Sequence, residues 1–462
     1  MRFLSQQVAV SGRSHGGKAT LPARCGQTAL VAAGLAGAIL LGGCSEPKPA
    51  AGVMGYVGTF AGFVSAEEPR AAMVGEDILS AGGTAADAAT AMAATLTVTL
   101  PTRAGWLGGG VCLSRMPKDR TVKAFSFLPE PLPGGGFAPG LPRGLYALQA
   151  ASGALRWEEI LAPAEQIARF GTPVSRALAK DFEAIGSVSG LDAGMRAVYA
   201  PKGRFLAEGE PLAQPRLAAA LSAVRMQGAG DAYVGGLGRL IAQAVPERDE
   251  ERRTALRAYR ARSTAAIEAR FDNDTAYFPG APFFGTAAVA AWKGQGKLLR
   301  PAGAPPYGAT GFVVADRGGM AVACVLSMGQ MFGGGQTYGD TGLTGYAALG
   351  EDFDAATMAP MLVGNTHLKD LRLAAAAAGA GAGADVMDFA LAARRAGKSA
   401  AAAIAEVASR GDAGTRVTGV SCPDGAPGRV DNCTLAADSR GAGISRVVGR
   451  EIKKKGHLFE LF

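Results

Sequence analysis

The chain has 462 residues, 48% of them hydrophobic and 19% charged, which excludes a disordered protein and allows a sizeable buried core. Its formal charge is +8. Setting aside the four basic residues of 1–43 leaves 43 basic against 39 acidic side chains, an excess too small and scattered for nucleic-acid binding. Glycine is unusually frequent, at 67 of 462 residues, against a typical ~7%.

The first segment reads as an address. Arg2, Arg13, Lys18 and Arg24 precede an apolar run from Ala29 to Leu41, which is too short to span a bilayer comfortably. The run ends in Leu41-Gly42-Gly43-Cys44, which resembles the lipobox of bacterial lipoproteins. The small residues admit the peptidase, and the Cys44 thiol is the nucleophile that takes the lipid. Residues 1–43 are therefore expected to be a lipoprotein signal peptide, and 44–60 a tether. The expected partner is the lipid bilayer, reached through acylated Cys44. The expected location is the bacterial cell envelope, facing the periplasm, with Ser45 favouring the outer membrane.

Export implies an oxidising compartment. Cys422 and Cys433 bracket a turn-rich stretch and are placed to close a short disulfide loop. Cys112 and Cys324 lie in apolar surroundings and read as buried thiols. No Cys/His spacing suits a zinc site, so no metal and no cofactor are expected. His367 and His457 are the only histidines beyond residue 43, which leaves little material for a His-based triad. Lys453-Lys454-Lys455 reads as a solvated face.

Residues 71–96 have a small-residue helical pattern broken at Gly82-Gly83. The Gly108-Gly109-Gly110 run has no lysine in phosphate-loop spacing. Residues 155–170 place Trp157, Ile160, Leu161 and Ile167 toward one side of a helix, and 215–226 and 236–245 also read as helical. The charged stretch 246–270 reads as an exposed helix or linker. Gly311 to Ala315 and Ala321 to Ser327 are β-rich runs on either side of the turn Asp316-Arg317-Gly318-Gly319, a hairpin signal. Residues 385–409 read as helical again, and the end returns to short strands. The order predicts an α+β fold of stacked layers.

Several co-linear motifs resemble γ-glutamyltransferases, or glutathione hydrolases. EPRAAMVGEDILSAGGTAADAATA at 68–91 looks like their opening helix, with Thr84 and Ala86 as departures. WEEILAPAEQIARFGTPVS at 157–175, PLAQPRLAAAL at 211–221, GAGDAYVGG at 228–236 and AADSRGAG at 436–443 follow in order. The resemblance covers roughly residues 60–445. It implies an N-terminal-nucleophile hydrolase fold, an αββα sandwich in which 61–308 corresponds to the large part and 309–462 to the small part. It also implies self-cleavage, after which the new N-terminal threonine attacks a γ-glutamyl amide.

That nucleophile must carry a hydroxyl or thiol, because the same side chain cuts the precursor and forms the acyl intermediate. Where the family begins its small part Thr-Thr-His, this chain reads Gly308-Ala309-Thr310. The resemblance thus puts Ala309 at the nucleophile position and Ser327 where a supporting hydroxyl is kept. Thr310 takes over only if the strand slips by one residue. The carboxylate-binding arginine of the family corresponds to Leu128, and its Asn or Ser on the second strand to Gly329. Its amine-gripping acid corresponds to Glu351 or Asp352. The Ser-Ser-Met segment becomes Ala356-Thr357-Met358, and the oxyanion Gly-Gly pair falls within Ala378 to Gly383.

Two readings follow. One is a catalytically silent protein that binds or scaffolds, with a small amide or peptide as possible ligand. The other is an active hydrolase that cleaves itself before Thr310.

Overall fold

The computed structural model describes residues 60–116, 118–298, 300, 307–350, 355–410 and 414–449. Residues 1–43, expected to be a signal peptide, Cys44, Glu351, Asp352, Lys453 to Lys455 and His457 lie outside the described residues.

Two antiparallel sheets form the centre. The strands of the first are β1 (Gly62–Ala66), β2 (Gly109–Arg115), β3 (Val122–Phe127), β4 (Arg262–Ala265), β7 (Tyr307–Asp316), β8 (Ala321–Gln330) and β13 (Ile444–Val448). Their spatial order is β13-β1-β7-β8-β2-β3-β4. The second sheet contains β5 (Ile267–Phe271), β6 (Asp274–Phe278), β9 (Met358–Asn365), β10 (Leu371–Ala378), β11 (Arg416–Ala426) and β12 (Thr434–Ala437). Its order is β12-β11-β10-β9-β6-β5.

Helices cover both outer faces. On the first sheet lie α1 (Pro69–Ser80), α2 (Ala85–Thr99), α3 (Leu141–Ser152), α4 (Trp157–Phe170) and α5 (Arg176–Ile185). With them run α6 (Ala193–Tyr199), α7 (Pro215–Gln227), α8 (Asp231–Val234), α9 (Gly236–Gln243) and α10 (Asp249–Ala258). On the second sheet lie α11 (Gly285–Trp292), α12 (Ala382–Arg394) and α13 (Ala400–Arg410). Separate apolar clusters fill the two helix–sheet layers and the space between the sheets. The architecture is the four-layer αββα sandwich that the resemblance implies.

Local chemistry explains the opening. Pro69 occupies the first turn of α1, and the Glu68 carboxylate caps it by accepting from the Ala71 N–H at 2.8 Å. Thr84 and Asp87 form a capping box that starts α2 just past Gly82-Gly83. Every residue of α2 is buried, and its Ala and Thr side chains let it pack closely on all sides.

The 246–270 expectation needs correction. Residues 249–258 are helical, but 262–265 and 267–271 are strands. All four residues of β4 are exposed, so the strand carries no apolar alternation to betray it. It is an edge strand, as is β5, and Ala266 alone separates them. The chain therefore passes from the rim of one sheet directly to the rim of the other.

A second correction concerns Cys112 and Cys324. They are direct partners in the β2–β8 pairing and form a disulfide. Cys422 and Cys433 are also joined, across the loop they bracket.

Candidate functional site

The strand β7 decides what each side chain near the expected cleavage point can reach. Ala309, Val313 and Ala315 point into the cluster between the sheets, and Phe312 and Val314 into the cluster under the helices. Gly311 shares the inter-sheet face, where an added Cβ would lie 3.0 Å from that of Ala376. A one-residue slip would drive Thr310 and Phe312 into space sized for Ala309 and Gly311. Overpacking of that kind costs about 1–3 kcal/mol per site. The sequence thus holds Ala309 between the sheets and Thr310 on the helix side. A bulge between Gly308 and Ala309 does not reverse this, because regular pairing resumes at Ala309 opposite Ser327.

On the inter-sheet face, Ala309 presents a buried methyl beside Ser327. The Ser327 hydroxyl accepts from the Gly329 N–H at 2.9 Å. Gly329 has φ +71°, and an added Cβ would sit 1.9 Å from the Ala347 carbonyl oxygen. Neither asparagine nor serine fits there without moving the 345–348 segment. Leu128 follows β3 and is half-buried against the inter-sheet cluster. Two N–H donors of the expected oxyanion segment are already engaged. Gly379 donates to the Thr357 carbonyl at 2.8 Å, and Gly381 donates to the Thr415 hydroxyl at 3.1 Å.

On the opposite face, Thr310 is fully buried and its hydroxyl donates to Glu67 at 2.8 Å. Glu67 follows β1. Arg103, in the turn after α2, reaches Glu67 at 3.4 Å and grips Asp181 of α5 with two hydrogen bonds of 2.8 and 2.6 Å. The nitrogen that reaches Glu67 also approaches the Ala309 carbonyl oxygen at 3.5 Å. Thr102 adds a 2.5 Å hydrogen bond to Asp181. Side-chain exposures of 13% for Arg103, 6% for Glu67 and 2% for Asp181 place the group essentially out of water.

Burial pushes the Glu67 carboxyl above its usual range, although Arg103, the Thr310 hydroxyl and Arg416 oppose the shift. Burial also works against the Arg103 charge, but Asp181 and Glu67 outweigh it and raise its pKa further. The geometry explains the asymmetry. Arg103 is committed to Asp181 by a planar fork, and Glu67 receives only a single longer contact. One Glu67 oxygen, Oε1, has no hydrogen-bond partner among the described residues.

A pH prediction follows. A raised pKa means that the folded chain holds the Glu67 proton more tightly than the unfolded chain. That stability is fully present below the unfolded pKa and is lost as pH rises through the folded one. Urea unfolding of the parent and Glu67→Gln, compared from about pH 4 to about pH 8, should show the parent losing ground to the variant as pH rises. A difference that stays flat, or grows in the parent's favour, would contradict the raised pKa.

Sequence reasoning does not single out Glu67, Arg103 or Asp181. The acidic pair before Pro69 is a local sign of a helix cap and accounts for Glu68 alone. Nothing local links position 103 to position 181. Among the described residues no group of three His, Cys, Asp or Glu side chains is placed to hold a metal ion. None of the described helices is long and apolar enough to cross a membrane.

The four layers and the position of β7 define an N-terminal-nucleophile hydrolase fold. The same fold occurs in cephalosporin acylase from Bacillus halodurans, which superposes with a TM-score of 0.68 at 18% identity, covering 88% of this chain and 99% of that one. The profile of the family described as gamma-glutamyltranspeptidase matches residues 71–133 and 137–294. Glutathione hydrolase 3 of Arabidopsis thaliana is 30% identical over 202 residues, which is 40% of this chain and 32% of that protein. The glutathione hydrolase proenzyme of Escherichia coli (strain K12) is 30% identical over 208 residues, 39% of this chain and 35% of that protein. The chain thus matches about a third of the length of these curated relatives. Over these residues the chain is similar to the γ-glutamyltranspeptidase family.

Proposed function

We propose that this chain is a catalytically silent γ-glutamyltransferase-like lipoprotein of the bacterial cell envelope, tethered through acylated Cys44, with a binding or scaffolding role. The observation that carries the reading is the placement of Ala309. Its methyl occupies the inter-sheet face opposite Ser327, where the resemblance puts the nucleophile. A methyl supplies neither an attacking atom nor a leaving proton. The engaged Gly379 and Gly381 donors and the apolar Leu128 agree with a pocket that has left amide chemistry.

One observation favours the second reading. The Thr310 hydroxyl sits 2.8 Å from a carboxylate, and Arg103 approaches the carbonyl that cleavage before Thr310 would attack. Against it stands complete burial, since Thr310 has no exposed surface through which a substrate could enter.

Intact-mass analysis of the purified chain, with assay against a chromogenic γ-glutamyl amide, separates the two. The expected result is one uncut chain, inert toward the amide and unchanged in both respects by Thr310→Ala. A fragment beginning at Thr310, lost in Thr310→Ala, would overturn the silent reading.

A further inference from the structure

A cavity of about 290 Å³ opens at the rim of the sandwich, with Leu128 but not Ala309 among its lining residues. One wall is the inter-sheet face of β3 and β4. The other is the 279–283 segment that follows β6. The strand register fixes the first wall, because Ser126 pairs directly with Arg262, and Ala124 with Thr264. Cross-strand partners share a face, so the Arg262 stem and the two hydroxyls stand beside each other. Ala124, Leu128 and Phe283 make the interior apolar, and the Tyr259 hydroxyl is occupied by a 3.0 Å bond to the Leu128 carbonyl.

Charge at the mouth is unequal. Arg260 and Arg262 face one carboxylate, Glu130, and the only ion pair among them is a long 3.8 Å contact between Arg262 and Glu130. Both partners of that contact are largely exposed, so it contributes little and either can turn to a ligand. Arg260 donates to the Arg257 and Tyr259 carbonyls, which hold its guanidinium at the rim.

An apolar interior ringed by guanidinium groups and hydroxyls matches an amphiphilic anion. At ~30 Å³ per heavy atom, the volume takes about ten such atoms. We propose that this cavity binds a medium-chain carboxylate, head outward on Arg262 and Arg260 and chain inward against Leu128 and Phe283. The inference deepens the silent-binder reading and rests on it, since it supplies the class of ligand that a non-catalytic chain would hold.

Calorimetric titration of the purified chain with octanoate, octanol and glutamate tests it. Saturable octanoate binding is expected, with octanol and glutamate each at least tenfold weaker. Arg262→Gln combined with Arg260→Gln should weaken octanoate at least tenfold. Thr264→Phe lies on an exposed strand where an aromatic is well tolerated, and should block the cavity without lowering the unfolding temperature. Equal binding of octanol would reduce the site to apolar partitioning and overturn the proposal. So would octanoate binding unaffected by either variant, or no binding by the parent. These outcomes leave the uncut, inert chain standing, whereas a fragment starting at Thr310 removes the silent reading regardless of the titration.

Discussion

Arg103→Met is expected to destabilise the fold by about 3–5 kcal/mol, among the largest costs available to a single side chain here. Arg103 neutralises Asp181 through two short hydrogen bonds and also contacts Glu67. Removing it leaves two carboxylates out of water with no cation against Asp181. Arg103→Lys should recover little, because a point charge cannot reproduce the paired bonds to Asp181. Adding Glu67→Gln and Asp181→Asn to Arg103→Met should recover much of the loss, since the penalty belongs to the stranded charges. Urea midpoints of the single and triple variants check both statements. A loss below about 1 kcal/mol for Arg103→Met would mean that water reaches the cluster.

Cys112→Ala with Cys324→Ala is expected to cost about 2–5 kcal/mol. The bridge spans a sequence separation of 212, against 11 for Cys422–Cys433. Loop-closure entropy grows with the logarithm of that separation, so the longer bridge should outweigh the shorter by about 2–3 kcal/mol. Denaturation of the two double-alanine variants gives the comparison directly. Equal losses would show that something other than chain entropy sets the contribution of the central bridge.

Some of this architecture is legible in the order of residues alone. The hairpin of β7 and β8 announces itself through two β-rich runs flanking Asp316-Arg317-Gly318-Gly319. The break at Gly82-Gly83 is equally local, although the capping box that turns one predicted helix into two becomes visible only when Thr84 and Asp87 are read together. What escapes such a reading is non-local or exposed. Strand β4 lies on a sheet rim and is exposed throughout, without the alternation that marks a strand, whereas β5 keeps it in Ile267, Ala269 and Phe271 within a stretch whose overall charge suggests a helix or linker. Cys112 and Cys324 each sit among apolar residues, and only sheet register brings their sulfurs together. The Glu67–Arg103–Asp181 cluster draws one residue from each of three distant segments. The motifs assign Ala309 its counterpart position, while its direction comes from packing, with Gly311 against Ala376 and Phe312 beneath the helices.

The pairing of β1 has a consequence for how the protein is made. Gly62 to Ala66 lie between β7 and β13, matched on one side to Asp316 through Phe312 and on the other to Val448 through Ile444. Strand β1 waits for a partner made much later, since Ser65 and Ser445, which face each other, are 380 residues apart in the chain. The large sheet therefore cannot be completed before β13 has left the ribosome. Such distant pairings fold slowly and leave strand rims open meanwhile. The nascent polypeptide must pass through an interval in which its early β-segment is open to wrong partners, and a holdase chaperone would find its substrate there.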